Sequence, residues 1–236
     1  MEKLSAKEFD QNYNIVLEKF NSALKSVNKT PKDVILLAAT KTVDVDSINY
    51  AISKGITHVG ENKVQELLSK HYSLNPVTEH FIGHLQTNKV KDVIDKVALI
   101  QSVDSIKLAR EISKQAAKRD ITMDILLEVN IGKEESKWGF LPEDTLNAIK
   151  EISNFSNSRI CGLMTIPPIC EDIETQKGYF RQMYNLYVDI KDQNIDNTNM
   201  SILSMGMSDD FDLAIKEGAN LVRVGTALFG KRNYNV

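Results

Sequence analysis

An α/β barrel of eight parallel strands is the fold this sequence predicts. Eight short β-rich runs alternate with stretches of helical spacing along 236 residues, close to the count and length of a (β/α)8, or TIM, barrel. The first run, Val34-Ile-Leu-Leu-Ala-Ala-Thr40, is unbroken and apolar, as a strand buried on both faces requires. A doubly wound open sheet is the competing architecture. No two glycines lie two apart anywhere, so the G-x-G-x-x-G turn of a dinucleotide-binding sheet is absent.

Residues 5–27 precede the first strand and read as an extra N-terminal helix, with Phe9, Ile15, Val16, Phe20 and Leu24 on one side. After the run at 34–40, Val45, Ile48, Ala51 and Ile52 recur at helical spacing and Lys54-Gly55 supplies a glycine stop, which leads into the second run, Ile56–Gly60. The third and fourth are His80–Gly83 and Ala98–Ser102. Ile106, Ala109, Ile112 and Ala116 mark an amphipathic helix before the fifth, Met123–Asn130. Arg159–Thr165, Ser201–Met205 and Asn220–Gly225 complete the set. With no Pro/Gly/Ser-rich linker, residues 1–236 are expected to form a single domain.

Composition narrows the function. There are 29 Lys+Arg against 32 Asp+Glu, a formal net charge of −3, so no overall basic field attracts nucleic acid or anionic lipid. The N-terminus lacks the apolar run of a signal peptide, and nowhere do about eighteen apolar residues follow one another. A cytoplasmic protein without membrane or nucleic-acid partners is expected. Cys161 and Cys170 lie in neither a C-x-x-C nor a His-rich setting, so no disulfide framework and no metal site is expected.

In a barrel of this kind, function sits where the strands end and the βα loops converge. The residues there are Lys41, Glu61 with Asn62, His84 with Gln86 and Asn88, Ser102 with Asp104, Asn130, Thr165, Ser204 through Ser208, and Gly225 with Thr226. Lys41 closes an apolar strand. Burial disfavours a lysine's charge and favours a nucleophilic amine, while a flexible stem reaching water explains the position equally well. Ser208, Gly225 and Thr226 follow the last two strands, where barrels often hold phosphate; plain capping, with Ser208 heading the helix at Asp209-Asp210-Phe211, is the alternative. His84 is expected to face the site and His80 to pack in its strand. Met205 and Met207 offer a surface for a planar ligand, or ordinary filling. The charged, glycine-bounded loop 132–139 reads as a surface loop or a lid. Gly225–Lys231 matches G-x-x-x-x-G-K by coincidence, since Arg232 stands where a P-loop needs Ser or Thr.

Taken together, several ordered motifs resemble the pyridoxal phosphate homeostasis proteins, a family of fold-type III pyridoxal 5'-phosphate (PLP) barrels like the alanine racemase N-terminal domain. They are Leu36-Leu-Ala-Ala-Thr-Lys-Thr42, Gly60-Glu-Asn-Lys-Val-Gln-Glu66, His80–Lys89, Gln101-Ser-Val-Asp104, Asn130–Gly139, Gly162-Leu-Met-Thr165, Leu203–Asp210 and Val222-Arg-Val-Gly-Thr226. The resemblance implies a Lys41 aldimine with PLP, a phosphate held by Ser208, Gly225 and Thr226, Arg223 facing the pyridine nitrogen, and Asn62 beside the cofactor. With His84 and Met205 these are the expected cofactor-binding residues; none is expected to be catalytic. Thr40 and Lys63 depart from the serine and the aromatic common in the family.

An arginine stays protonated, so Arg223 would leave PLP a poor electron sink. Alanine racemases add a β-domain carrying a second acid/base, and the sequence has eleven residues after Gly225. The expected function is therefore PLP buffering and delivery, by a monomer, with apo PLP enzymes as candidate recipients. A PLP-dependent amino-acid racemase acting on the barrel alone is the alternative. Lys63, Lys89, Lys133 and Lys137 are candidate second amines for releasing the cofactor, against a reading as solvated surface lysines.

Overall fold

The computed structural model describes residues 4–230; Lys231 and Arg232, part of the P-loop-like match, lie outside them. Eight parallel strands close into a barrel in sequence order: β1 Ile35–Ala39, β2 His58–Glu61, β3 Thr78–Phe81, β4 Leu99–Val103, β5 Met123–Glu128, β6 Ser158–Met164, β7 Thr198–Ser204 and β8 Leu221–Val224. The helices are α1 Ala6–Ser26, α2 Val45–Ser53, α3 Val64–Lys70, α4 Val90–Val93, α5 Ile106–Ala117, α6 Pro142–Ile152, α7 Ile173–Lys191, α8 Phe211–Lys216 and α9 Thr226–Phe229. All eight expected strands are present, with ends displaced by a few residues.

Closure comes from β1 pairing with β8, Leu37 opposite Arg223. The β7–β8 seam has a single strand pair, Ser204 with Leu221. There the Asn220 side chain takes over, accepting from Leu203 N–H at 2.7 Å and donating to the Ser201 carbonyl at 2.6 Å. At Gly162 the registers of β5–β6 and β6–β7 both shift. Gly162 has φ +149, and a Cβ there would collide with the Ile202 carbonyl, so only glycine lets β6 and β7 approach at that bulge.

Apolar residues pack in two places. The larger layer lies between sheet and helices and includes Ala38, Val59, Phe81, Ile100, Leu127, Val222 and Val224. Inside the barrel, small clusters of Leu99, Leu126, Cys161 and Met164, and of Leu37, Ile82 and Leu221, fill the lumen.

Helix α1 opens with a capping box: Ser5 Oγ accepts from Glu8 N–H and Glu8 returns a bond to Ser5 N–H. Its buried stripe is Phe9, Val16, Phe20, Ala23 and Leu24, with the Phe9 ring against those of Tyr50 and Phe229. Ile15, expected on that stripe, is 64% exposed. It is one residue from Val16, and each helical step turns the side chain by about 100°. Among the described residues no helix is long and apolar enough to cross a membrane.

Candidate functional site

At the C-terminal end of β1 the chain reverses in a tight turn, Thr40 to Val43, closed by Val43 N–H on the Thr40 carbonyl. Lys41 is its second residue. Thr42, the third, has φ +63, a place where glycine is usual and a β-branched residue is strained by roughly 1–3 kcal/mol. The surrounding structure holds it there. Glu66 Oε2 accepts from Thr42 N–H at 2.6 Å and from Lys70 Nζ at 3.0 Å. Lys70 Nζ also donates to the Thr40 carbonyl and, at 2.8 Å, to Glu61 Oε1, which takes the Thr40 hydroxyl as well. Two carboxylates and one ammonium, all largely buried, thus clamp the peptides on either side of Lys41.

Across the mouth, Arg223 on β8 is 4% exposed. It donates from Nη1 to Ser204 Oγ at 2.5 Å and from Nη2 to the Thr165 carbonyl at 2.8 Å. Burial pulls its pKa down to about 10, countered by the nearby Glu128 and Asp210 carboxylates, so it remains a cation at neutral pH. Glu128, at the end of β5, is pushed up to about 7 by burial and by repulsion from Asp104, with Arg223 opposing.

The Ser208 hydroxyl accepts from Gly225 N–H and Ala227 N–H, both at 3.1 Å. The expected alternative, Ser208 heading α8, is not what forms: Asp210 occupies the cap position of α8, and its carboxylate accepts from Met207 N–H and Gln176 Nε2. Ser208 therefore sits with Gly225 and Thr226 at the start of α9. That arrangement gathers a hydroxyl and backbone N–H groups, two of them donating to Ser208 itself here, into a donor set that an anion could take over, and ties up Asp210 elsewhere.

A pocket of about 250 Å³ is lined by Asn62, Gly83, His84, Glu128, Lys137 and Trp138, among others. Gly83 is needed where it is, because a Cβ would strike the Asn62 carbonyl. His84 stacks on Trp138, ring centroids 4.0 Å apart, and its Nδ1 lies 2.9 Å from Asp104. The loop carrying Trp138 is fastened at its base by Asn130, whose amide bonds Glu134 N–H and the Glu134 and Lys137 carbonyls. Of the four candidate second amines, Lys137 alone lines this pocket; it also pairs with Glu134. Lys133 pairs with Glu143, and Lys63 and Lys89 are exposed. Met205 is fully buried and packs in the layer between sheet and helices, not with the residues of the mouth.

Four contributors were missed in the sequence, Gln101, Glu128, Lys70 and His58, and His80 was expected to pack in its strand without its partners being foreseen. Each is a polar residue within or beside an apolar run, the one signal that marked them. His80 lies inside the barrel, with Nδ1 3.0 Å from Gln101 Nε2 and Nε2 2.9 Å from His58 Nδ1. Burial and the neighbouring His58 lower its pKa from 6.5 to about 3. Between those values the unfolded chain binds a proton that the folded chain refuses, so this contribution to stability is complete above pH 6.5 and is lost as pH falls. Glu128 works in the opposite sense, holding a proton in the folded state up to about pH 7. The His80 share is isolated by difference: relative to wild type, His80→Gln should gain ~2 kcal/mol between pH 6.5 and pH 5. Urea melts at the two pH values measure it, and an unchanged difference would contradict the assignment.

The barrel and its mouth define a protein of the alanine racemase N-terminal domain class, and that family matches residues 8–233. The fold is shared with a solved structure described as an unknown protein from Bifidobacterium adolescentis, at TM-score 0.90 and 34% identity, covering 97% of this chain and 98% of the other. PipY of Synechococcus elongatus PCC7942, solved with PLP bound, aligns at TM-score 0.78 and 32% identity over 89% of this chain and 99% of its own. A pyridoxal phosphate homeostasis protein from Aquifex aeolicus is 43% identical over 221 residues, 93% of this chain and 96% of that one. The chain belongs to the pyridoxal phosphate homeostasis protein family.

Proposed function

We propose that this protein binds PLP at the barrel mouth, bonded to Lys41, and that it holds and releases the cofactor instead of turning over amino acids. When bound, PLP supplies an aldehyde that condenses reversibly with amines and a pyridine ring that can draw electrons. The residues present fit such a group. Lys41 offers an amine on a clamped turn, Ser208, Gly225 and Thr226 offer donors for a phosphate, and Asn62 and His84 offer walls. Met205, buried behind the sheet, would act only through the backbone it steadies.

The observation that carries the reading is Arg223, a buried cation held at two points. A group that only donates hydrogen bonds leaves a facing pyridine nitrogen unprotonated, which weakens the ring as an acceptor of electrons. Binding is then retained while carbanion chemistry is disfavoured. Release would proceed by water or by a second amine displacing Lys41, the amine supplied by an incoming molecule or by Lys137 on the pocket wall. The apo form of a PLP enzyme is the natural recipient, and a monomeric barrel leaves the mouth open to it.

Incubating the loaded protein with an apo PLP enzyme, in the presence of a scavenger of free PLP, tests direct transfer. A chiral assay over the common amino acids tests the competing racemase reading; robust turnover abolished in Lys41→Ala would overturn the carrier function. For the phosphate donors, pyridoxal lacking its phosphate should bind at least about a hundredfold more weakly than PLP, since two charge-assisted hydrogen bonds are lost. Equal affinities by equilibrium dialysis would remove Ser208, Gly225 and Thr226 from the site.

A further inference from the structure

Arg223 is the end of a chain of side chains that crosses the barrel lumen. Its Nη1 donates to Ser204 Oγ, the Ser204 hydroxyl donates to Gln101 Oε1 at 2.7 Å, Gln101 Nε2 meets His80 Nδ1 at 3.0 Å, and His80 Nε2 meets His58 Nδ1 at 2.9 Å. Ser204, Gln101 and His80 are buried, and each comes from a different strand: β7, β4 and β3. None of the three touches the pocket by Asn62 and Trp138.

We propose that Ser204, Gln101 and His80 form a one-way hydrogen-bond relay whose direction is set by Arg223, and that they are positioning residues for its guanidinium. Guanidinium has no acceptor, so Ser204 must receive from it, and the buried serine's one proton finds its partner at Gln101 Oε1. That fixes the amide with its NH2 toward His80. His80 Nδ1 is then an acceptor, and a neutral ring with Nδ1 unprotonated carries its proton on Nε2. His80 therefore donates to His58 Nδ1, and a neutral His58 carries its own proton on Nε2. Burial that keeps His80 neutral agrees with this. Reversing a later link alone would set two donors or two lone pairs face to face, and reversing the chain from Gln101 onward would leave the Ser204 proton without a partner in a buried site, at a cost of about 1–3 kcal/mol. The Ser204 hydroxyl consequently cannot rotate away from Arg223, and together with the Thr165 carbonyl it fixes the guanidinium plane. Any effect on bound PLP rests on the reading that Arg223 faces the pyridine nitrogen; the relay itself does not.

The test begins without cofactor. The chain has four histidines, so nitrogen NMR of protein labelled at histidine gives a spectrum simple enough to assign. His80 and His58 are expected as neutral rings protonated at Nε2 at pH 7.5. Finding His80 protonated at Nδ1, or as an imidazolium, would overturn the relay with no variant made. Gln101→Leu and Ser204→Ala should then release the His80 tautomer to a mixture, and Ser204→Thr, which keeps the hydroxyl, should restore the single form. In the PLP-loaded protein the same two variants should shift the visible band and raise the dissociation constant about tenfold, with the band still bleached by borohydride. Unchanged tautomer and band in both variants would refute the positioning role. A protein that shows the expected tautomers and takes up no PLP would refute the cofactor reading and leave the relay standing.

Discussion

Replacing Lys41 with alanine should remove the yellow, borohydride-bleachable band of the PLP-loaded protein entirely and leave the fold intact. Lys41 is a half-buried residue of a turn held by several bonds of its neighbours: the Thr40 carbonyl is bonded by Lys70 and Val43, and the Thr42 N–H by Glu66. Truncating the side chain leaves all of these in place. The fold without cofactor is therefore expected to survive, with a stability change within the range of about 0.5–3 kcal/mol usual for single substitutions. Retention of PLP by the phosphate donors alone should be weak enough to be lost on gel filtration. An unchanged band in Lys41→Ala would place the attachment at another amine, with Lys137 the first to examine because it lines the pocket.

The opposite pattern is expected at Gly162, far from any chemistry. Its φ of +149 and the carbonyl of Ile202 leave no room for a Cβ, and the carbonyl belongs to a neighbouring strand that cannot swing aside as a flexible side chain would. Gly162→Ala must push β6 and β7 apart at the bulge or twist the peptide out of the ladder. A loss on the order of 4 kcal/mol is expected, at the severe end of single substitutions, measurable by chemical denaturation or as failure to accumulate folded protein. A loss under about 1 kcal/mol would mean that the bulge is softer than its geometry indicates. Because Ser204 ends β7, a variant that survives should also disturb Arg223.

The two substitutions illustrate which parts of the molecule could be read in the sequence. Strands were legible because barrel strands are covered on both faces and write themselves as unbroken apolar runs; Val34–Thr40 is the clearest. Lys41 was legible because it interrupts such a run at its end. The lumen was harder to read. Gln101 and His80 point into the barrel, and a lone polar residue in a strand carries no label saying whether it faces water, a partner or a cavity. Their partners come from β2, β3, β4 and β7, brought together only by closure. Ser208 stayed open between two readings for a similar reason: local spacing favours a cap for the helix that follows, whereas the groups it binds lie seventeen and nineteen residues on. Ile15 shows a smaller error, an apolar residue counted on a stripe from which one helical step removes it.

The left-handed Thr42 has a thermodynamic consequence for any reaction at its neighbour. A glycine there would relax the turn, and it would also widen the range of backbone shapes open to the unfolded and folded chain alike. Threonine narrows that range. The ordering entropy of the reactive amine is thus spent when the chain folds, with Glu66 and Lys70 supplying the enthalpy, and little of it remains to be lost when a ligand arrives. Affinity gained this way needs no added contact with the ligand, and it would be invisible in any inventory of the groups that touch it.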